Sequence, residues 1–150
     1  LDERLQAANT LESEGYKIGF HFDPLIHYPG WKEGYEATID RMLDAVNPEN
    51  IAWISMGTLR YINRLKEIAE ERFPKISIFS NEFIPAEDGK MRYIKPIRKD
   101  LLLSVAKMIQ EKAAEIPLYY CMEKHALWQQ MCPKPPKTPE DLEKYLNTNL

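Results

Sequence analysis

The chain has 150 residues, of which 44% are hydrophobic and 29% charged, and its formal net charge at pH 7 is −3. This composition is typical of one globular domain and excludes a largely disordered or fibrous protein. The apolar runs at residues 51–54 and 101–103 are far shorter than the roughly 20 residues needed to cross a bilayer, so no transmembrane segment is predicted. Because the net charge is negative, binding to nucleic acid would have to come from a local basic patch.

The N-terminus and the cysteines indicate whether the chain is part of a longer protein and in which cellular compartment it lies. The chain does not begin with Met and opens on a pattern typical of a helix interior, so we expect it to be part of a longer protein. Its first residues carry charge and lack the apolar segment of a signal peptide. Cys121 and Cys132 match neither a disulfide framework nor a CxxC metal motif, and we therefore expect a reducing, cytoplasmic location.

Hydrophobic periodicity predicts that helices alternate with strands. Apolar residues three and four apart indicate amphipathic helices, and period-2 alternation or a short apolar run indicates a strand. Gly15 is expected to cap the first helix, and Asp23-Pro24 to end the first strand. Helices are predicted over 1–13, 35–46, 65–73, 101–116 and 126–131, and strands over 17–22, 51–56, 75–84 and 117–122.

The spacing of the four predicted strands indicates an α/β fold with a parallel sheet made of β-α units. A partial (β/α) barrel with about four mainly parallel strands fits this count, and a small doubly wound sheet fits it too. Asp88-Gly89 between strand-like flanks predicts an inserted β-hairpin. Residues 1–132 would form this domain, and 133–150 a proline-rich tail with a short helix that Thr138 caps.

Polar side chains follow the first predicted strand in the segment GFHFDPLIHYPGW. His21 and Asp23 lie at its C-terminal end, where α/β folds bind ligands, and their spacing would place both on one face. Alternatively, Asp23 caps a turn and His21 packs within the sheet. A metal site made of His21, Asp23 and His27 has no supporting ligand spacing.

The second predicted strand ends in small residues within the segment WISMGTLR. Ser55 and the following Gly57 would let a ligand approach the backbone, or they would belong to an ordinary β-α turn. The segment lacks the glycine patterns of nucleotide phosphate loops.

A basic segment, GKMRYIKPIRK, follows the hairpin turn and is the best nucleic-acid candidate in the chain. Lys90, Arg92 and Lys95 could neutralise phosphates, while Tyr93 could stack on a base. A solvated hairpin would show the same composition.

Taken in order, the segments GFHFDPLIHYPGW, AWISMGTLR, ERFP, EFIPAEDGKMRY and PLYYCME resemble the C-terminal half of the spore photoproduct lyases. These enzymes belong to the radical S-adenosylmethionine superfamily, and the resemblance spans about residues 5–131. It implies a partial (β/α) barrel. For the parent protein it also implies a [4Fe–4S] cluster on a CxxxCxxC loop. The cluster would cleave S-adenosylmethionine, and the resulting radical would reverse a thymine dimer in spore DNA.

The resemblance also implies roles for residues of this chain. His21, Asp23 and Ser55 would lie on the S-adenosylmethionine side of the barrel, and the hairpin would contact the lesion through Arg92 and Tyr93. CxxxCxxC is absent here, so the isolated fragment is expected to lack the cluster ligands and activity.

The expected partners are DNA, the protein's own N-terminal radical S-adenosylmethionine half, and a second copy joined through open barrel edges. Neither Cys121 nor Cys132 would inherit the family's hydrogen-donating role. Two alternatives stay open: a non-catalytic α/β module that binds DNA or a protein, and a small-molecule enzyme on a doubly wound sheet.

Overall fold

The structure is a computed structural model that describes residues 1–123, 125–131, 136 and 138–147. Its helices are α1 (Asp2–Ser13), α2 (Trp31–Ala45), α3 (Asn63–Arg72), α4 (Lys95–Lys112), α5 (His125–Met131) and α6 (Pro139–Leu146), with a 3-10 turn at Pro48–Asn50. Its strands are β1 (Ile18–Leu25), β2 (Ile51–Thr58), β3 (Arg60–Tyr61), β4 (Phe83–Pro85), β5 (Met91–Tyr93) and β6 (Leu118–Tyr120).

A three-stranded parallel sheet in the order β1-β2-β6 forms the centre of the fold. Alternate residues of β2, among them Ile54 and Met56, are completely buried, as are Leu101, Val105 and Ile109 of α4. These residues belong to one hydrophobic core that also includes residues of α2. One face of the sheet therefore packs against helices, and the predicted α/β fold with parallel strands is confirmed.

A second, antiparallel sheet in the order β3-β5-β4 contains the predicted hairpin. The turn between β4 and β5 is closed by the Ala86 N–H, which donates to the Lys90 carbonyl at 2.9 Å, and by the Gly89 N–H, which donates to the Ala86 carbonyl at 3.0 Å. Gly89 has a φ of +73°, a conformation that glycine adopts without strain. The hairpin at Asp88-Gly89 is therefore confirmed.

The strand predicted over 75–84 is wrong. Residues 75–82 form turns, with the Ile76 N–H donating to the Phe73 carbonyl and the Ser80 N–H to the Ser77 carbonyl. The apolar alternation has another cause: Phe79 is buried against the ring of Tyr61, and these contacts bury side chains without forming a strand. Only the last residues of the segment join a strand, and that strand is antiparallel β4 rather than a fourth parallel one.

The first strand does not end at Asp23-Pro24, contrary to prediction. β1 continues through Pro24 to Leu25, which pairs with Thr58 of β2. Pro24 is tolerated because β1 is an edge strand of its sheet, where a missing N–H breaks no ladder on the outer side. The predicted cap of α1 is confirmed, since Gly15 has a φ of +89° and donates to the Glu12 carbonyl.

The predicted short helix of the tail is α6, and Thr138 caps it in a reciprocal capping box with Asp141. The Tyr145 hydroxyl accepts from the Leu118 N–H at 3.1 Å, so α6 contacts the edge strand β6. Residues 132–135 and 137, which include Cys132 and much of the proline-rich segment, lie outside the described residues. The domain boundary at residue 132 stays a prediction. Among the described residues, no helix is both long enough and apolar enough to cross a membrane.

Candidate functional site

The face of the parallel sheet opposite the helices carries a row of His21, Ser55 and Tyr119, which lie side by side in the strand register. The His21 ring packs edge-on against Trp53, with 4.9 Å between the ring centroids. Gly19 lies beneath the same indole, where a Cβ would come within 2.7 Å of the ring. His21 is exposed and Tyr119 half-buried, whereas Ser55 between them is buried.

A second row lies nearer the C-terminal ends of the strands and contains Asp23, Gly57 and Cys121. The carboxylate of Asp23 lies over Gly57, because a Cβ built on Gly57 would be 2.8 Å from Asp23 Cγ. Arg60 Nη2 donates to Asp23 Oδ2 at 3.3 Å, and these two side chains are only 21% and 22% exposed. The Cys121 thiol lies near both Arg60 and Asp23, since each of them affects its pKa. His21 and Asp23 therefore share one face, as their spacing predicted.

The environment keeps the thiol and the nearby phenol protonated at neutral pH. Burial raises the pKa of the Cys121 thiol, and the Asp23 carboxylate raises it further, although Arg60 lowers it. Burial likewise raises the pKa of Tyr119. A thiol with a raised pKa is a poor nucleophile, so this edge offers neutral donors, one carboxylate and one guanidinium to a polar ligand.

On the hairpin, Arg92 is held by two hydrogen bonds. Its Nη2 donates to Asp88 Oδ2 at 2.5 Å, and its Nη1 donates to the Met122 carbonyl at 3.2 Å. Lys90 is half-buried and Lys95 is exposed. Arg92 of the hairpin and Lys95 of α4 line the same cavity, but Asp88 neutralises part of the charge of Arg92.

Tyr93 does not offer the stacking surface that the sequence suggested. The residue is completely buried, its ring stacks on Phe83 with 4.3 Å between centroids, and its hydroxyl accepts from the His27 N–H at 3.2 Å. The expectation is corrected because the ring already fills the space beneath the hairpin and cannot also pack on a base. Tyr93 supports the hairpin and the loop after β1 instead.

Sequence reasoning missed two charged residues, Arg60 and Glu123. Arg60 begins β3 just beyond the end of β2, and Glu123 lies just beyond the end of β6. The Glu123 side chain is 4% exposed and accepts from Arg98 Nη1 at 3.3 Å. The available signal was their position, since charged residues shortly after the C-terminal end of a parallel strand lie where α/β folds bind ligands.

Comparison with known proteins identifies the family. The family model described as spore photoproduct lyase matches residues 1–116. The chain belongs to the spore photoproduct lyase family. It is 31% identical over 84 residues to the spore photoproduct lyase of Geobacillus sp. (strain Y412MC61), covering 54% of this chain and 24% of that enzyme. It is also 31% identical over 85 residues to the spore photoproduct lyase of Bacillus subtilis (strain 168), covering 55% of this chain and 25% of the enzyme.

Solved structures of spore photoproduct lyase share the fold. A spore photoproduct lyase complexed with dinucleoside spore photoproduct matches with a TM-score of 0.65 at 23% identity, over 80% of this chain and 38% of that chain. A mutant with bound AdoMet and dinucleoside spore photoproduct matches with a TM-score of 0.62 at 23% identity, over 80% of this chain and 37% of that chain. The chain thus spans about a quarter of the length of the curated lyases and under two-fifths of the solved ones.

The side chains present do not fit an iron–sulfur cluster. Such clusters are held mainly by cysteine thiolates, and the sequence contains 2 cysteines. Within the described ranges, no group of three or more His, Cys, Asp and Glu side chains could hold a metal ion. S-adenosylmethionine is a different case, because the Asp23 carboxylate, which lies over Gly57, and the exposed imidazole of His21 lie on the same face. A carboxylate and an imidazole can accept hydrogen bonds from the hydroxyl and ammonium groups of the cofactor.

Proposed function

We propose that this chain forms the cofactor-facing sheet and the DNA-facing hairpin of a radical S-adenosylmethionine enzyme that repairs spore photoproduct. The observation that supports this proposal is the sheet face on which Asp23, Arg60 and Cys121 lie close together at the C-terminal strand ends. The opposite face of the sheet is packed against helices. The cluster would be held by a separate N-terminal half of the parent protein, which would complete the barrel over this face. A cytoplasmic location is part of the same proposal.

His21, Asp23 and Ser55 would bind S-adenosylmethionine in this proposal. The cofactor supplies the radical chemistry when it is bound beside the cluster. Arg60 would act as a positioning residue, because its Nη2 donates to Asp23 Oδ2 at 3.3 Å and so holds the carboxylate over Gly57. The raised pKa of Cys121 keeps a neutral thiol next to that carboxylate, so the thiol adds no negative charge beside Asp23 at neutral pH.

Lys90, Arg92 and Lys95 would bind the DNA backbone. Lysine and arginine neutralise phosphates, and such contacts make affinity depend on salt concentration. Tyr93 would contribute indirectly, since its hydroxyl and ring hold the hairpin against the loop after β1.

A chimaera tests the proposal. The matching segment of the Bacillus subtilis lyase is replaced by this chain, and the product is assayed for S-adenosylmethionine cleavage and for repair of dinucleoside spore photoproduct. We expect both activities. We also expect loss of repair in the D23N chimaera but not in D100N, which makes the same charge change at an exposed position on α4.

Two outcomes contradict the proposal. If the chimaera carries its cluster and cleaves the cofactor but repairs no lesion at all, this chain does not supply the substrate side of the site. If D23N and D100N repair equally well, the sheet face is not the cofactor side. The first outcome would favour the alternative of a non-catalytic binding module.

The hairpin has its own test in the same chimaera. The R92Q/K95Q double variant should bind damaged oligonucleotides more weakly and with a salt slope smaller by up to about 1.4, or about 0.7 per phosphate contact on a single strand. The single change K107Q, on an exposed ion pair of α4, is the control for charge loss. An unchanged slope in R92Q/K95Q would show that the hairpin is only a solvated turn.

A further inference from the structure

A cavity of about 630 Å³ lies between the β4–β5 hairpin, the start of α4 and α5. Its size falls within the range of pockets that bind small organic ligands. Part of its wall is apolar and includes Ile84 and Met122, which are 48% and 53% exposed. Two large exposed apolar side chains at one cavity offer a packing surface to the flat face of a ring such as a nucleobase.

Cationic side chains converge on another part of the same wall. Arg92, Lys95 and Arg98 all line the cavity, together with the acids Glu87, Asp88 and Glu123. The two guanidiniums reach adjacent residues, because Arg92 Nη1 donates to the Met122 carbonyl at 3.2 Å and Arg98 Nη1 donates to Glu123 Oε2 at 3.3 Å. Planar guanidinium groups brought together in this way suit the oxygens of a phosphate.

The Arg98–Glu123 pair is incompletely satisfied. Arg98 Nε is buried and has no hydrogen-bond partner among the described residues. Its side chain is 19% exposed and that of Glu123 is 4% exposed. A buried donor without an acceptor is unfavourable, so a ligand oxygen that reaches this guanidinium gains more than it would at an exposed arginine.

The ionised form of Glu123, the partner of Arg98, is disfavoured by burial. Burial raises the pKa of its carboxyl, although Arg98, Arg92 and Arg60 all lower it. An ionised carboxylate is strongly disfavoured away from water even when it is paired. The guanidinium is therefore occupied by a group that is itself poorly stabilised, and an incoming phosphate could replace it.

We propose that this cavity binds one nucleotide unit of a DNA strand, with the phosphate on Arg98 and Arg92 and the base against Ile84 and Met122. Glu123 holds Arg98 in the free protein and competes with the phosphate for it. The assignment to DNA rests on the proposed function, and the bound unit would flank the lesion rather than be the lesion itself. Glu123 thereby weakens the binding of strands that do not also engage the rest of the site.

The test is a titration of the 150-residue chain with hexathymidylate, with thymidylyl-thymidine, thymidine monophosphate and inorganic phosphate as shorter probes. It needs neither cofactor nor lesion, so it tests the cavity apart from the repair assay. We expect E123Q to bind hexathymidylate about three- to tenfold more tightly than the wild-type chain, because the internal competitor is removed. R98Q should bind more weakly, with a salt slope smaller by about 0.7.

An exposed ion pair on the same helix provides matched controls. Lys107 and Glu111 are 3.6 Å apart and 73% and 61% exposed, so E111Q and K107Q make the same charge changes outside the cavity. Both should shift the affinity for hexathymidylate by less than about twofold. Thermal unfolding verifies that each variant is folded; if R98Q is not, the comparison of E123Q with E111Q still decides.

Two results would overturn the proposal. If E123Q and E111Q strengthen binding equally, the gain is only a net-charge effect and Glu123 is no competitor. If inorganic phosphate or thymidine monophosphate binds as tightly as hexathymidylate, the cavity takes a small phosphorylated molecule and not a nucleic acid strand. A chimaera that fails to repair while E123Q still gains affinity would reject the proposed function and leave the cavity assignment standing.

Discussion

The Asp23 carboxylate lies directly over the α-carbon of Gly57, so that a Cβ at position 57 would come within 2.8 Å of both Asp23 Cγ and Oδ1. The neighbouring strands thus approach each other at a point where only glycine leaves room for the acid. The same acid accepts from Arg60. A small residue on one strand therefore sets the position of a charged group on the next.

The first prediction concerns this contact. G57A should lower the free energy of unfolding by about 1–3 kcal/mol, because the added methyl group forces Asp23 away from Arg60. The measurement is urea denaturation. In the D23A background the same glycine substitution should be markedly less destabilising, since the clashing carboxylate is gone. Equal losses in both backgrounds would mean that the strain lies in the backbone of β2 and not in this contact.

The second prediction concerns the thiol beside the same acid. Burial and the Asp23 carboxylate raise the pKa of Cys121, whereas Arg60 lowers it. D23N removes the nearby negative charge and leaves Arg60 to stabilise the thiolate, so alkylation of Cys121 by iodoacetamide at mildly alkaline pH should be about three- to tenfold faster. Peptide mass spectrometry separates Cys121 from Cys132. D100N is the control for net charge, and an equal acceleration there would contradict the proposed coupling.

The third prediction concerns the support of the hairpin. Y93F should lower the free energy of unfolding by about 1–2 kcal/mol, because the His27 N–H loses its acceptor in a partly buried position. Tyr16 is 63% exposed, and Y16F should change stability by less than about 0.5 kcal/mol. Denaturation curves of the two variants give the comparison. A Y93F protein as stable as Y16F would show that the hydroxyl contributes nothing to holding the loop.

The fourth prediction concerns pH. Burial raises the pKa of Glu123 above its ordinary value of 4.5, so the folded protein binds this proton more tightly than the unfolded chain does. The resulting stability is fully present below the unfolded pKa and is lost as pH rises through the folded pKa. The wild type should therefore lose stability relative to E123Q as pH rises from the ordinary Glu value of 4.5 towards neutrality. A pH-independent difference between the two denaturation midpoints would contradict the raised pKa.

The fifth prediction concerns the metal cluster. Anaerobic incubation of this chain with iron and sulfide should yield no [4Fe–4S] cluster, because its 2 cysteines are fewer than the roughly three or four thiolates such a cluster needs. Iron analysis and the visible absorption band of the cluster provide the measurement. Stoichiometric iron with that band would overturn the expectation. The chimaera described above is the positive control, since its parent enzyme contributes the remaining segment.

Local patterns in the sequence determined a large part of this protein. Helical periodicity, the glycine after α1 and the Asp88-Gly89 turn each depend on residues close together in the chain, so α1, α2 and the hairpin could be predicted. The two-residue spacing of His21 and Asp23 on a strand also fixed their common face, because side chains alternate with period 2. The order of several separate motifs was enough to identify the family.

Tertiary structure alone decided the rest, because contacts between distant residues have no local signature. Residues 75–82 alternate like a strand, yet no neighbouring strand is available there, and Phe79 is buried against Tyr61 instead. Tyr93 is an aromatic residue in a basic segment, which is typical of residues that stack on DNA bases, but the hydrophobic effect buries it under the hairpin. The pairing of Arg60 with Asp23 joins residues 37 positions apart, and only the parallel register of β1 and β2 brings those two charges together.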